Sequence, residues 1–268
     1  MTLTYVYCLV RAARRPSRLD ASAAMPGAHD LAALEAGPGL WLIVSHVPAA
    51  SYDEAAVAEG LQDLAWVGRH ALAHEAVVER FLRARAVLPL QLFTLFTTDD
   101  RARAYVQQQR RRIERILARV ERQVEWGVRL TLEDRPLSAM PGPPAARGRA
   151  ARETEAAAAT GTAYLARKRD AREASRLRLT EARSAGERAF RALARQATAS
   201  RRMTATETAA PASRLLVEAA FLVPAANASS FRAAVRRHRP ALEASGVSVS
   251  LTGPWPPYNF VQAPARSE

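Results

Sequence analysis

Apolar residues recur along this chain with two spacings, alternate or continuous in short runs and every third or fourth residue in longer ones. The change of spacing marks the elements. Leu3 to Val10 holds tyrosine, valine and leucine with almost no helix former, which predicts a strand. Leu40 to Val47, a nearly continuous apolar run closed by Pro48, predicts a second strand that is central or covered on both faces. The polar stretch between them, rich in Ala, Gly and Pro, reads as a connection with a short helix over Asp30 to Ala36. Ser51-Tyr52-Asp53-Glu54 has the acceptor and acids of a helix start, and a helix to about Leu64 follows. Val67, Leu72, Val77, Val78, Phe81 and Leu82 then fall at helical spacing between Trp66 and Arg83. Val87 to Phe96 predicts one strand, with Pro89 near its start. Thr98-Asp99-Asp100 caps a helix to about Arg122, with Ile113, Ile116, Leu117 and Val120 on one face and arginines around the other. Val124 to Glu133 alternates and predicts a strand with one polar face.

Arg135 to Arg152 breaks the pattern with prolines, glycines and few bulky aliphatics, as a linker does. A helical stretch of alanine, arginine and glutamate runs from about Glu155 to Arg202, as one helix or two broken near Gly186. Leu215 to Val223 is a strand ended by Pro224, Ser229 to Ala244 a helix, and Val247 to Leu251 a last strand. The order predicts an α+β protein of two domains: residues 1–134, a linker over 135–154, and residues 155–268. A four-stranded sheet with helices on one side is expected in the first domain. In the second, the long helix joins a small sheet closed by the terminal segment.

Composition adds two constraints. A formal net charge of +13 and a sequence pI near 11.1 call for an acidic partner or a reason not to need one. The basic residues are almost all arginine and are spread over several helices, so a nucleic-acid-binding module stands as the alternative function. A single cysteine, Cys8, excludes an internal disulfide and suits a reducing compartment. The N-terminus lacks the pattern of a secretion signal and no run approaches the length of a membrane span, so a cytoplasmic, soluble protein is expected.

Candidate chemistry is sparse. His70 and His74 stand four apart on one helical face beside Glu75, a metal-compatible spacing without the internal glutamate of a His-Glu-x-x-His motif or a visible third ligand. Cys8 in a strand reads as a small buried hydrophobe. No phosphate loop, serine elbow or paired-carboxylate signature is present, so neither catalysis nor a cofactor is expected.

The most distinctive stretch is Leu251-Thr-Gly-Pro-Trp-Pro-Pro-Tyr-Asn-Phe-Val261. Its prolines forbid a helix or central strand, Gly253 frees a turn, and Trp255, Tyr258 and Phe260 give a stiff loop three large groups to bury or to offer to a partner. Following directly on the last strand, it reads as the lid of the second domain. This Gly-Pro-Trp-Pro-Pro-Tyr-x-Phe-Val ending closely resembles the terminal motif of the gas vesicle synthesis family GvpL/GvpF. Tyr5-Val-Tyr7, Leu88-Pro89-Leu90 with Thr94 and Phe96, and Gly161 with Tyr164-Leu165 also match, so the resemblance covers essentially the full chain. One departure falls in the third predicted strand, where Gln91-Leu92-Phe93 replaces the family's Arg-Phe-Gly. The resemblance implies two α/β domains, at least one ferredoxin-like, and a non-enzymatic accessory protein. Such a protein binds the small hydrophobic shell protein and other accessory proteins and can remain as a minor vesicle component. Trp255, Tyr258, Phe260, Tyr164 and Leu165 are the candidate partner-binding residues.

Overall fold

The computed structural model describes residues 1–17, 19–133, 155–203 and 213–261; the expected linker lies outside them. In chain order come β1 (Thr2–Arg11), a 3-10 turn at Ala21–Ala23, β2 (Ala32–Gly37), β3 (Leu40–Pro48), α1 (Ala49–Tyr52), α2 (Glu54–Gly60) and α3 (Leu64–Glu79). They continue with β4 (Ala86–Pro89), β5 (Leu95–Phe96), α4 (Asp99–Gln108), α5 (Arg110–Val120), β6 (Gln123–Glu133), α6 (Glu155–Ala194) and β7 (Ala199–Arg202). Last are β8 (Ser213–Pro224), α7 (Ala228–Ala244), β9 (Val247–Trp255) and α8 (Tyr258–Val261).

Two antiparallel sheets result, ordered β2-β3-β1-β4, with β5 also on β1, and β7-β8-β6-β9. From β6 to β9 the chain runs strand, helix, two strands, helix, strand, the ferredoxin-like arrangement. The first sheet has the same spatial order, second strand, third, first, fourth, but residues 12–31 form an irregular crossover where the second sheet has α6. The protein is α+β, with a ferredoxin-like sandwich and a long helix on one of its two sheets.

Central β1 is apolar almost throughout because helices cover both faces of its sheet. Val6 and Leu9 point to a core with Ala102, Val106, Ile113 and Leu117 of α4 and α5, while Tyr5, Tyr7, Cys8 and Val10 meet Val77 and Val78 of α3. A bulge between Val6 and Cys8 lets the consecutive Tyr7 and Cys8 face the same side. In the second sheet, Trp126, Leu130 and Phe221 bury against Ala185, Ala189 and Leu193 of α6 and Phe231 of α7. Among the described residues its opposite face is covered at Ala220, Leu222 and Glu125, the first two joining the α5 core, so α5 is sandwiched between the sheets.

Several expectations are overturned, each by tertiary pairing. Helices lie on both sides of the first sheet, not one. The stretch predicted as a helix over Asp30 to Ala36 instead holds β2, because Ala32 to Gly37 pairs with β3 and tertiary hydrogen bonds outweigh the weak helix preference of alanine. The single strand expected over Val87 to Phe96 is split into β4 and β5 by a turn in which Phe93 adopts φ 64°. Phe93 stands where the resembled pattern has glycine; it adopts the left-handed conformation itself, and its phenyl ring stacks on Trp66 at 5.1 Å. β6, expected in the first sheet, is central in the second, where its alternation presents Trp126, Val128 and Leu130 to the helices. The helix expected from Ser51 is two short ones, the second capped by Asp53, whose carboxylate accepts from the Ala56 amide at 2.8 Å. The long helix passes Gly186 unbroken, and residues 199–202, predicted helical, form β7. Leu72, assigned to the apolar face of α3, is 68% exposed; His70 and His74 take the buried positions.

Candidate partner-binding site at the terminal motif

β9 enters the terminal motif through Gly253, which has φ +114° and no room for a side chain: a Cβ there would lie 2.8 Å from the Glu125 carbonyl oxygen. The register against β6 slips at this point, from Gly127 opposite Thr252 to Glu125 opposite Trp255. Pro256 and Pro257 are buried, and the Tyr258 and Phe260 amides donate to their carbonyls at 2.7 and 3.0 Å, winding the chain into α8. The prolines thus stop the strand and start the turn.

Three side chains from three other elements hold α8. The Glu125 carboxylate, 5% exposed, accepts from the Asn259 backbone amide at 2.8 Å and from its side-chain amide at 2.5 Å. Arg201 of β7 donates to the Asn259 carbonyl at 3.1 Å, and Arg119 of α5 donates to the Phe260 carbonyl. Burial pushes the Glu125 carboxyl up; the Asn259 hydrogen bonds and the nearby Arg201 charge oppose that rise. Phe260 and Val261 are buried in the core shared by β1, α5, Ala220 and Leu222, and Tyr258 packs against the tyrosine-rich core under α3. α8 is therefore a wedge between the sheets: tethered to the second and buried in the first. Expected to lid the second domain, the motif in fact reaches across to the other sheet.

Of the five candidate residues, Phe260 is buried in this joint, Tyr258 is half-buried with its hydroxyl enclosed, and Trp255 is half-buried at the end of β9. Tyr164 is 58% exposed on α6; Leu165 follows it there, and its side chain lies outside the described residues. The structure brings Trp255, Tyr258 and Phe260 together but places Tyr164 elsewhere. From Tyr164 to Arg178 nearly every described side chain of α6 is exposed, and burial begins at Leu179.

Beside α8 lies a cleft of about 690 Å3, bounded by α3, the turn after β4, and α4–α5, and lined by His74, Glu75, Gln91, Arg112, Ile116 and Tyr258. His74 is fixed in the core by the Tyr5 hydroxyl at 2.6 Å from Nδ1; its Nε2 has the Leu90 carbonyl nearby without a well-formed hydrogen bond. Burial pushes its pKa down to about 4, so the ring is neutral at pH 7. His70 Nδ1 lies 2.7 Å from the Trp66 carbonyl, and its ring packs on the Trp66 indole. Both histidines are engaged by core groups, and no cluster of three potential metal ligands occurs among the described residues. Burial also pushes the Cys8 thiol and the Tyr5 and Tyr258 phenols up, keeping them protonated. A further charged site escaped the sequence reading: His46 bridges Asp30, 2.9 Å from Nδ1, and Asp99, 3.0 Å from Nε2. Its partners are 16 and 53 residues away, so no local spacing marks it.

The family described as Gas vesicle synthesis protein GvpL/GvpF matches residues 3–262. Gas vesicle protein L of Streptomyces sp. (strain CB03234) is 31% identical over 221 residues, covering 81% of this chain and 78% of that one. The fold is similar to the crystal structure of gas vesicle protein GvpF from Anabaena sp. PCC7120, with a TM-score of 0.63, 16% identity and coverage of 100% and 99%. GvpF from Microcystis aeruginosa is also similar, with a TM-score of 0.57, 14% identity and coverage of 98% and 100%. No helix among the described residues is long and apolar enough to cross a membrane.

Proposed function

The chain belongs to the gas vesicle synthesis family GvpL/GvpF, and from that membership we propose that it is a non-enzymatic assembly factor that binds the small hydrophobic shell protein. The observation that carries the reading is the extent of the match, which runs through both sheets to the terminal wedge. A subunit that polymerises through apolar surface needs that surface covered until it is delivered, and a folded protein offering strand edges and half-buried aromatics is suited to the task. Trp255 and Tyr164 keep ring surface that a partner could cover, while Phe260 and Tyr258 hold the joint. Its place of action is the gas vesicle, with other accessory proteins as further partners.

The experiment is co-expression of the shell protein with and without this chain, followed by separation of soluble and pelleted fractions. The proposal expects the shell protein to move into the soluble fraction when the chain is present. An unchanged pellet, together with salt-sensitive retention of the chain on nucleic acid, would favour the alternative of a basic nucleic-acid-binding module.

A further inference from the structure

A sheet edge exposes backbone donors and acceptors that can pair with another strand, and folded proteins normally blunt such edges. Four of the five outer strands here are blunted, β5 by its length of two residues. β2 has two carbonyls near its end taken by α4: Arg103 Nε donates to the Glu35 oxygen at 3.3 Å and Gln107 Nε2 to the Ala36 oxygen at 2.5 Å. β4 is short, ends in Pro89, and packs beside α5 and α8. β7 has four residues, of which two are Arg201 and Arg202.

β9 carries Pro254 near its end and packs beside α7, but before Gly253 it differs in length and in charge. It is nine residues long, Val-Ser-Val-Ser-Leu-Thr-Gly-Pro-Trp, and contains no charged residue in a chain that is 24% charged. It pairs with β6 on one side, and among the described residues no strand pairs its other side and no side chain hydrogen-bonds its backbone. Val249 and Leu251 pack on the second core yet remain only partly buried, so a strand laid alongside would complete their cover. The paired stretch before Gly253 is Val247 to Thr252, roughly 20 Å at about 3.3 Å per residue, the length of an ordinary strand.

We propose that the free edge of β9, Val247 to Thr252, is the surface on which an extended, uncharged, apolar segment of the shell protein docks by strand addition. This rests on the shell-binding reading above and supplies the surface that reading lacks. Two properties select the occupant. An edge without charge gives a charged strand nothing to pair with, whereas an uncharged strand with alternate apolar residues meets Val249 and Leu251. A second copy fits worse: edge-to-edge pairing would bring the α7 helices of both copies onto one face, with Arg232, Arg236, Arg237 and Arg239 on each and Glu243 as the only acid.

The test uses the full chain co-expressed with the shell protein, as wild type and as the double variant Ser250→Lys, Thr252→Lys. Both positions are exposed, so the lysines act on the edge and not on the core. Shell protein recovered with the variant should fall about tenfold or more while the melting temperature stays near that of wild type. In the wild-type complex, hydrogen exchange at the amides of Val247 to Thr252 should slow. Undiminished recovery by the folded variant, or unchanged exchange, would overturn the edge while leaving the function intact. A concentration-dependent homodimer that the lysine pair dissolves would overturn it in favour of a second copy. Failure of the wild type itself to hold soluble shell protein would sink the function, and the edge with it. Should the variant misfold, the exchange measurement on wild type decides alone.

Discussion

The two sheets have the same strand order but very different surroundings. The first is buried on both faces and crowded with polar aromatics: Tyr5 and Tyr7 pack edge to face at 4.8 Å, and Tyr7 donates to or accepts from Ser45 at 2.9 Å. The second has one fully buried face, built from Phe221, Phe231, Trp126 and small alanines of α6, and one largely open face that carries the Arg129–Glu218 pair. Topology alone thus does not decide what a sheet can do; covering does. With its faces covered and its edges blunted, the first sheet is a scaffold, and among the described residues the second retains a largely open face and an unpaired edge. α8 joins them, and this contrast can be tested from its largest consequence downward.

Phe260→Ala should have the largest effect, about 3–5 kcal/mol, because the ring is 8% exposed in a core that draws on both sheets. Denaturant unfolding followed by circular dichroism and by tryptophan fluorescence should then give separated midpoints, since the joint is lost. Coincident midpoints would mean that α5 alone couples the sheets.

Acid should act next, on the first sheet. His74 is held neutral, with its folded pKa lowered from 6.5 to about 4. As pH falls below 6.5 the unfolded chain takes up the proton first, so stability declines across the window from 6.5 to about 4. The loss is up to about 3 kcal/mol from this one group. Urea midpoints measured across that range should fall, and an NMR titration of the His74 ring should show no protonation above pH 5.

Trp255→Ala should cost less, about 1–2 kcal/mol, because the ring is half-buried at the end of β9. A cost near that of Phe260→Ala would instead make Trp255 a full member of the joint.

The smallest effect has the opposite pH sign. The Asp30 hydrogen bond, followed by that of Asp99, raises the His46 pKa against the effect of desolvation. Its contribution is therefore complete below the unfolded value near 6.5 and is lost as pH rises through the higher folded value. The groups are about a third exposed, so the effect is under about 1 kcal/mol. The melting temperatures of wild type and His46→Gln should converge above that pH and diverge below it.

Much of this was legible in the sequence. β1, β3 and β8 follow from apolar runs, β6 from alternation, α7 from its serine start and the Gly246 stop, and β9 as far as Leu251, because local patterning and tertiary pairing agree there. Where they disagree, pairing prevails: Ala32 to Gly37 looks helical by propensity and is a strand because β3 lies beside it. Alternation showed that β6 is a strand but not whose, since a strand with one apolar face suits either sheet. The aromatic residues of the terminal motif were visible as a group, but their anchor, Glu125, is 134 residues from Asn259 and carries no local mark. The bare edge of β9 was hidden for the same reason, because an edge is defined by the strands that are not beside it.

The most direct test of the account is affinity purification of the wild-type chain from cells that also make the shell protein, with the column washed at raised salt. The shell protein should elute with the chain, because apolar and backbone contacts hold it and salt does not weaken them. Shell protein left in the flow-through, soluble and unbound beside a folded chain, would contradict it.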